Sequence, residues 1–240
     1  MSVIVISKGS YSHGGKVARK VAQRLGFDCI SRDILIDTSK KFNISELKLI
    51  RAYEDAPSFL EKYTFGREKY IKYIKAAILN ELAKGNMIYH GFAGHFFVSD
   101  ISHVLKVRII ADMTERITSI MKRENVSKED AVDLVKKVDE ERTKWSLKLY
   151  GIDTWDSRLY DIVINIGKVT IDHAVDLVCQ TAKLKAFQPT TKSQKQIEKL
   201  AKEALSKAED INNISPFFEP MRDTPWNKKR KIKDDNLRNR

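Results

Sequence analysis

The first 26 residues constrain the fold more than any other stretch of the chain. Residues 3–7 read VIVIS, residues 8–16 read KGSYSHGGK, and the basic amphipathic run VARKVAQRL ends at Gly26. A short run of β-branched apolar residues reads as a buried strand, and a periodic segment closed by glycine reads as a helix. A strand that feeds a glycine- and serine-rich turn opening a helix is the setting of a phosphate-binding loop. Free amides at a helix start, with the positive end of the helix dipole, make an anion site. Gly14 and Gly15 lack Cβ atoms, so the backbone can approach a phosphate closely. Lys16 then supplies a point charge for the β and γ oxygens. Ser10, Tyr11, Ser12, His13, Gly14, Gly15, Lys16 and Val17 are therefore the nucleotide-binding candidates, with Lys16 the first catalytic candidate. The loop departs from the general pattern G-x-x-x-x-G-K-[ST] at two places. Ser10 stands where the first glycine is expected, and Val17 replaces the residue whose hydroxyl would face Mg²⁺. A glycine-rich strand-to-helix turn without a ligand is the alternative that the motif alone leaves open.

The alternation continues along the chain. FDCIS (27–31) predicts a second strand, and the segment after Ser31-Arg32-Asp33 a helix. Residues 45–64 read as helical, interrupted at Pro57. Residues 67–84 carry apolar side chains at helical spacing up to Gly85. Strands follow at NMIYHG (86–91), HVLKVRIIAD (103–112) and YDIVINI (160–166). Between the last two lie a helical segment at 114–125 and a long one at 128–149, whose start Ser127 and Asp130 would cap. A further helix is predicted over 170–187. Strands alternating with helices argue for a parallel sheet covered on both faces. Past Pro189, residues 193–211 form one polar amphipathic helix. From Asn212 onward three prolines and the basic run KKRKIK (228–233) read as a tail without a packed core. The predicted organisation is one α/β domain over 1–187, followed by a C-terminal helix and disordered basic tail over 188–240.

Composition narrows the function classes. With 42% hydrophobic and 32% charged residues, the 240-residue chain has the makeup of a soluble globular protein. Cys29 and Cys179 stand far apart with no C-x-x-C, which points to thiols in a reducing compartment, not to a disulfide frame or a metal site. No apolar run reaches membrane-spanning length. VIVI is too short for a signal-peptide core, so the expected location is the cytoplasm. The net charge of +12 suits a polyphosphate ligand and equally suits non-specific attraction to nucleic acid.

Two separated motifs give the sequence its resemblance. Tyr11-Ser12-His13-Gly14-Gly15-Lys16 is similar to the Y-G-S-G-G-R opening of the cytidylate kinase-like branch of the P-loop nucleoside monophosphate kinases. Ser31-Arg32-Asp33-Ile34 resembles the D-R-E-L that follows that family's second strand. Near the other end, Gly151-Ile152-Asp153-Thr154-Trp155-Asp156 and Tyr160-Asp161-Ile162-Val163-Ile164-Asn165 resemble G-x-D-W-x-D and Y-D-L-V-L-N. The resemblance covers about residues 3–185. It implies a three-layer P-loop NTPase fold around a five-stranded parallel sheet, with a helical acceptor insert at about 38–84 and a lid at about 139–160. It also implies ATP and Mg²⁺ as cofactors and a nucleoside monophosphate acceptor, CMP or dCMP. The sequence departs from the family's G-R-G after the third strand, where it has Gly91-Phe92-Ala93-Gly94.

Phosphoryl transfer needs two phosphates in line, exclusion of water and positive charge on the transferring oxygens. Arg142 and Lys148 are the lid candidates for that charge, although six residues of helix separate them and both lie in a run rich in charges of either sign. Arg32, Asp33 and Gly91 are the acceptor-binding candidates, at the strand ends where ligands of open α/β sheets gather. Asp112 reads better as a helix N-cap than as a Mg²⁺ partner. His90, His95 and His103 have no metal-ligand spacing and are expected as core or edge residues, as are Tyr70, Tyr73 and Ile74. Trp145 and Trp155 are expected to pack the lid. Two other readings remain open: a nucleotide-binding protein that does not catalyse, motivated by Val17 and Phe92, and a nucleic-acid-associated protein acting through 228–233. For the basic run, a solvated tail is the preferred reading.

Overall fold

The computed structural model describes residues 2–31, 33–43, 49, 64–91 and 93–214. Five strands form one parallel sheet: β1 (Val3–Lys8), β2 (Asp28–Ile30), β3 (Met87–His90), β4 (Val104–Ala111) and β5 (Ile162–Ile166). Their order across the sheet is β2-β3-β1-β4-β5. The first strand is thus central, pairing Val3 with Met87 on one side and with Val104 on the other. A strand with parallel neighbours on both edges is covered on both faces, which is why β1 reads as a continuous apolar run.

Side chains alternate across the sheet and divide the core in two. On one face Ile4 and Ile6 pack with Val17 and Val21 of α1 (Gly14–Leu25), and with Val175 and Val178 of α7 (Ile171–Ala182). On the other, Val3 and Val5 pack with Leu35 of α2 (Ile34–Phe42) and with Tyr73 and Leu79 of α3 (Thr64–Ala83). The single-turn helix α4 (Gly94–Phe97) buries Phe97 on that same face. Gly94 is required there: a Cβ would lie 2.4 Å from the Tyr89 ring. Helices α5 (Met113–Glu124) and α6 (Lys128–Tyr150) form a hairpin with its own small core of Ile117, Ile120, Ala131 and Val135.

Local signals set most of the boundaries. Ser127 caps α6 by accepting from the Asp130 amide at 3.0 Å, as expected. Gly151, at φ 64°, ends the same helix in the left-handed conformation. The last predicted core helix is shorter than expected: α7 stops at Ala182 and a separate 3₁₀ turn spans Lys185–Phe187. Helix α8 (Thr191–Ile214) lies along α3 and buries Ile197, Ala201, Ala204 and Ala208 in the same core as Val3 and Val5. The helix expected over 45–64, apart from Leu49 and Thr64, lies outside the described residues, as do Arg32, Phe92 and the tail from 215 onward.

Candidate active site

The loop between β1 and α1 sits where the sheet order reverses, with β3 on one side of β1 and β4 on the other. In open parallel sheets this is the crevice that takes ligands. The loop is tied down by its own backbone. The Gly9 amide donates to the Ile109 carbonyl at 2.8 Å, and the Ser12 hydroxyl lies 2.9 Å from the carbonyls of both Gly9 and Ile109. Tyr11 (φ 57°) and His13 (φ 61°) both adopt the left-handed conformation, which is uncommon outside glycine. His13 is the N-cap residue of α1, and its carbonyl accepts from the Lys16 and Val17 amides at 2.9 and 3.1 Å. The Gly14 and Gly15 amides have no backbone acceptor among the described residues. Gly14 also answers a packing demand, since a Cβ at this position would lie 2.6 Å from the Lys8 Cβ. The Lys16 side chain is exposed beside these amides.

A buried network joins the loop to the helical hairpin. Arg116, on α5, donates through Nε to the Ser10 carbonyl at 2.8 Å and through Nη2 to the Ser10 hydroxyl. Its Nη2 also meets Asp139 of α6 at 2.6 Å, and the Ser10 hydroxyl donates to the same carboxylate at 2.5 Å. Glu115 meets the His13 ring at 3.2 Å. Arg142, one turn beyond Asp139 on α6, donates to the Lys8 carbonyl at 3.2 Å. The long helix therefore lies over the entrance to the loop.

Between the loop and α6 runs a narrow cleft lined by Ser7, Lys8, Ser10, Arg108, Arg142 and Trp155. Its inner end holds a polar cluster that sequence reasoning missed. Arg108, inside β4, donates to the Ser7 hydroxyl at 2.9 Å and the Tyr160 hydroxyl at 3.2 Å. Tyr160 in turn donates to the Thr154 carbonyl at 3.0 Å. Arg108 stands two residues from Lys106 in the strand pattern, and nothing in that spacing marks it as buried. The buried His95 and His90 stay neutral. Burial, and then the charge of Arg108, hold His95 down to about 3. Burial, and then Lys8 and Arg19, hold His90 down to about 4. His103 is lowered as well, chiefly by burial. All three are buried, as the sequence predicted.

The remaining candidates divide. Gly91 is buried at the end of β3, its amide donating to the Ile6 carbonyl at 3.2 Å. Asp33 is exposed after β2 and lines a separate pocket with Cys29, Asp37, Lys41, Asn80 and Glu81 between α2 and α3. Lys148 falls on α6, but its side chain lies outside the described residues. Asp112 occupies the N-cap position of α5 without capping it, and its carboxylate accepts from Asn165 at 2.8 Å. Trp145 is buried in the core, whereas Trp155 is half-exposed over Arg108. Among the described residues no group of three or more His, Cys, Asp or Glu could hold a metal ion. No helix among them is long and apolar enough to cross a membrane.

A parallel sheet in 2-3-1-4-5 order, with helices on both faces and a glycine-bearing loop opening α1 at its switch point, defines a three-layer P-loop kinase fold. Within that class the chain belongs to the cytidylate kinase-like family, whose sequence pattern matches residues 3–168. It is 26% identical over 176 residues to the cytidylate kinase of Sulfolobus acidocaldarius, covering 73% of this chain and 91% of that protein. The cytidylate kinase of Staphylothermus marinus is 27% identical over 184 residues, covering 74% and 94%. The crystal structure of an uncharacterized protein from Eubacterium ventriosum superposes with a TM-score of 0.58 at 24% identity, covering 77% of this chain and all of that one. That likeness is one of fold. Family membership supports a nucleoside monophosphate kinase activity.

Proposed function

We propose that this protein transfers the γ-phosphoryl group of ATP to the phosphate of CMP or dCMP. The observation that carries the reading is the start of α1, where the Gly14 and Gly15 amides lack backbone acceptors among the described residues, beside an exposed Lys16. Residues 10–17 hold the donor's phosphates, with Lys16 on the oxygens of the transferring group. Arg142 belongs to the lid and adds charge when the cleft closes, with Lys148 as a second lid cation. Arg32, Asp33 and Gly91 form the acceptor side. The catalytic and binding residues fall within 1–187, and the cytoplasm supplies both nucleotides.

Magnesium fits this site as part of MgATP. Val17 offers no side-chain oxygen, and Asp139, Glu115 and Asp112 are held by Arg116, His13 and Asn165 respectively. An ion that keeps its waters and binds mainly through substrate phosphates needs no dedicated protein cage. When bound, it neutralises charge on the β and γ oxygens. The chain's own part is to align and to exclude water. An acceptor phosphate oxygen forms a bond to the γ-phosphorus as the bond to the β–γ bridging oxygen breaks, releasing ADP and a nucleoside diphosphate. A panel of nucleoside monophosphates with MgATP, followed by ADP release, tests the reading. CMP and dCMP should give the highest kcat/KM. A best acceptor outside the cytidylates would overturn the acceptor assignment. ATP binding without turnover on any monophosphate would make the protein a non-catalytic nucleotide binder.

A further inference from the structure

Packing alone does not explain the place of Arg108. It is 6% exposed, within β4 and opposite Ser7 of β1. Two neutral hydroxyls receive its Nη1, and the rings of Trp155 and Tyr160 lie 5.2 and 5.4 Å from its Cζ. Its Nε is buried with no hydrogen-bond partner among the described residues. Among the described residues no carboxylate pairs with it, and the one carboxylate lining the same cleft, Asp139, is committed to Arg116 and Ser10. A guanidinium does not shed its proton to escape burial. A buried cation without a counter-ion is destabilising, and an anion drawn into the cleft removes that penalty. The cleft offers further positive charge, because Lys8 and Arg142 line it too.

We propose that Arg108 binds the acceptor's phosphate at the inner end of the cleft between the β1–α1 loop and α6. The inference rests on the kinase reading above and adds to it a residue of the acceptor site. The sheet decides which phosphate is meant. Arg108 has the same facing as Val104, toward α2 and α3, whereas α1 with its free amides packs on the opposite face. A donor held at the start of α1 and an acceptor arriving from the α2–α3 side meet across the strand ends. Arg108 lies on the acceptor's side of that meeting. Its planar fork suits two phosphate oxygens, and the ring faces of Trp155 and Tyr160 hold it in place without neutralising it.

The alternative is a clamp that only fixes the segment carrying Trp155 and Tyr160. Calorimetric titration of the full chain with CMP, cytidine and ATP separates the two for wild type, Arg108→Met and Arg108→Lys. A phosphate contact predicts that Arg108→Met weakens CMP at least 30-fold and leaves cytidine and ATP within twofold. Arg108→Lys, which keeps the charge and loses the fork, should weaken CMP about tenfold. Equal losses for CMP and cytidine, or CMP binding within threefold of wild type in both variants, overturn the proposal. Should circular dichroism show Arg108→Met unfolded, the lysine variant decides by the same comparison of CMP with cytidine. A wild-type chain that turns over CMP while both variants bind it normally overturns the role of Arg108 alone. A wild type that binds no CMP overturns this inference and the cytidylate reading together.

Discussion

In the proposed reaction, Lys16 is the residue on which most of the chemistry turns. It follows two glycines at the start of α1 and is exposed, so removing it takes away charge and little packing. Lys16→Ala should lower turnover on the order of 10²–10³-fold and leave the melting temperature close to wild type, as steady-state assay and calorimetry would show. The buried histidines carry a pH signature. His95 and His90 stay neutral in the fold, at about 3 and 4, while in the unfolded chain they protonate near the ordinary value of 6.5. Below that value the unfolded state takes up protons that the fold refuses. Stability is therefore full above pH 6.5 and falls as the pH drops toward 4, by about 1 kcal/mol per histidine at pH 5.5. Urea melts at pH 7.5 and 5.5 measure the fall, and His95→Gln should remove its share of the difference. Equal stability at the two pH values would show that the rings are not held neutral. At this scale the loop was legible because its residues are consecutive. Gly14 was expected for a phosphate and is demanded first by the Lys8 side chain, a contact across the turn that spacing does not reveal.

Among the elements, α6 has the most to do. It touches the loop through Asp139 and the β1 end through Arg142, one turn apart. Asp139→Ala should cost about 3 kcal/mol, because it leaves the buried Arg116 charge without its carboxylate. Chemical denaturation reads that loss directly. Arg142→Ala should lower kcat more than it raises KM for ATP, since a lid contact is made chiefly in the closed, reacting complex. An unchanged kcat would remove Arg142 from the lid. The helices and strands themselves could be read from the sequence because periodicity, caps and glycine stops are local signals. The Ser10–Arg116–Asp139 network could not, because it joins three segments that nothing in sequence spacing brings together. Arg108 was concealed for a related reason: on a strand, a charged residue at alternating spacing reads as solvent-facing until the covering helix is known.

For the whole molecule, the C-terminal helix changes what counts as core. Helix α8 was expected as a polar appendage, yet Ile197, Ala201, Ala204 and Ala208 close the face of α3. Three of these four side chains are alanines, so composition understated how much of α3 the helix covers. A chain ending at Ile214 should keep its melting temperature and its turnover. A chain ending at Gln188 should lose on the order of 5 kcal/mol, because Ile197 and the α3 side chains beneath it return to water. Thermal and urea unfolding of the two truncations compare them. The central claim is that the loop at the start of α1 transfers phosphate to a cytidylate. Phosphorus NMR of the full chain with MgATP and CMP tests it most directly. We predict that ATP and CMP disappear together while ADP and CDP appear in equal amounts, and that Lys16→Ala abolishes the exchange. ATP converted to ADP and inorganic phosphate with CMP untouched, or CDP formed at the wild-type rate by Lys16→Ala, would contradict it.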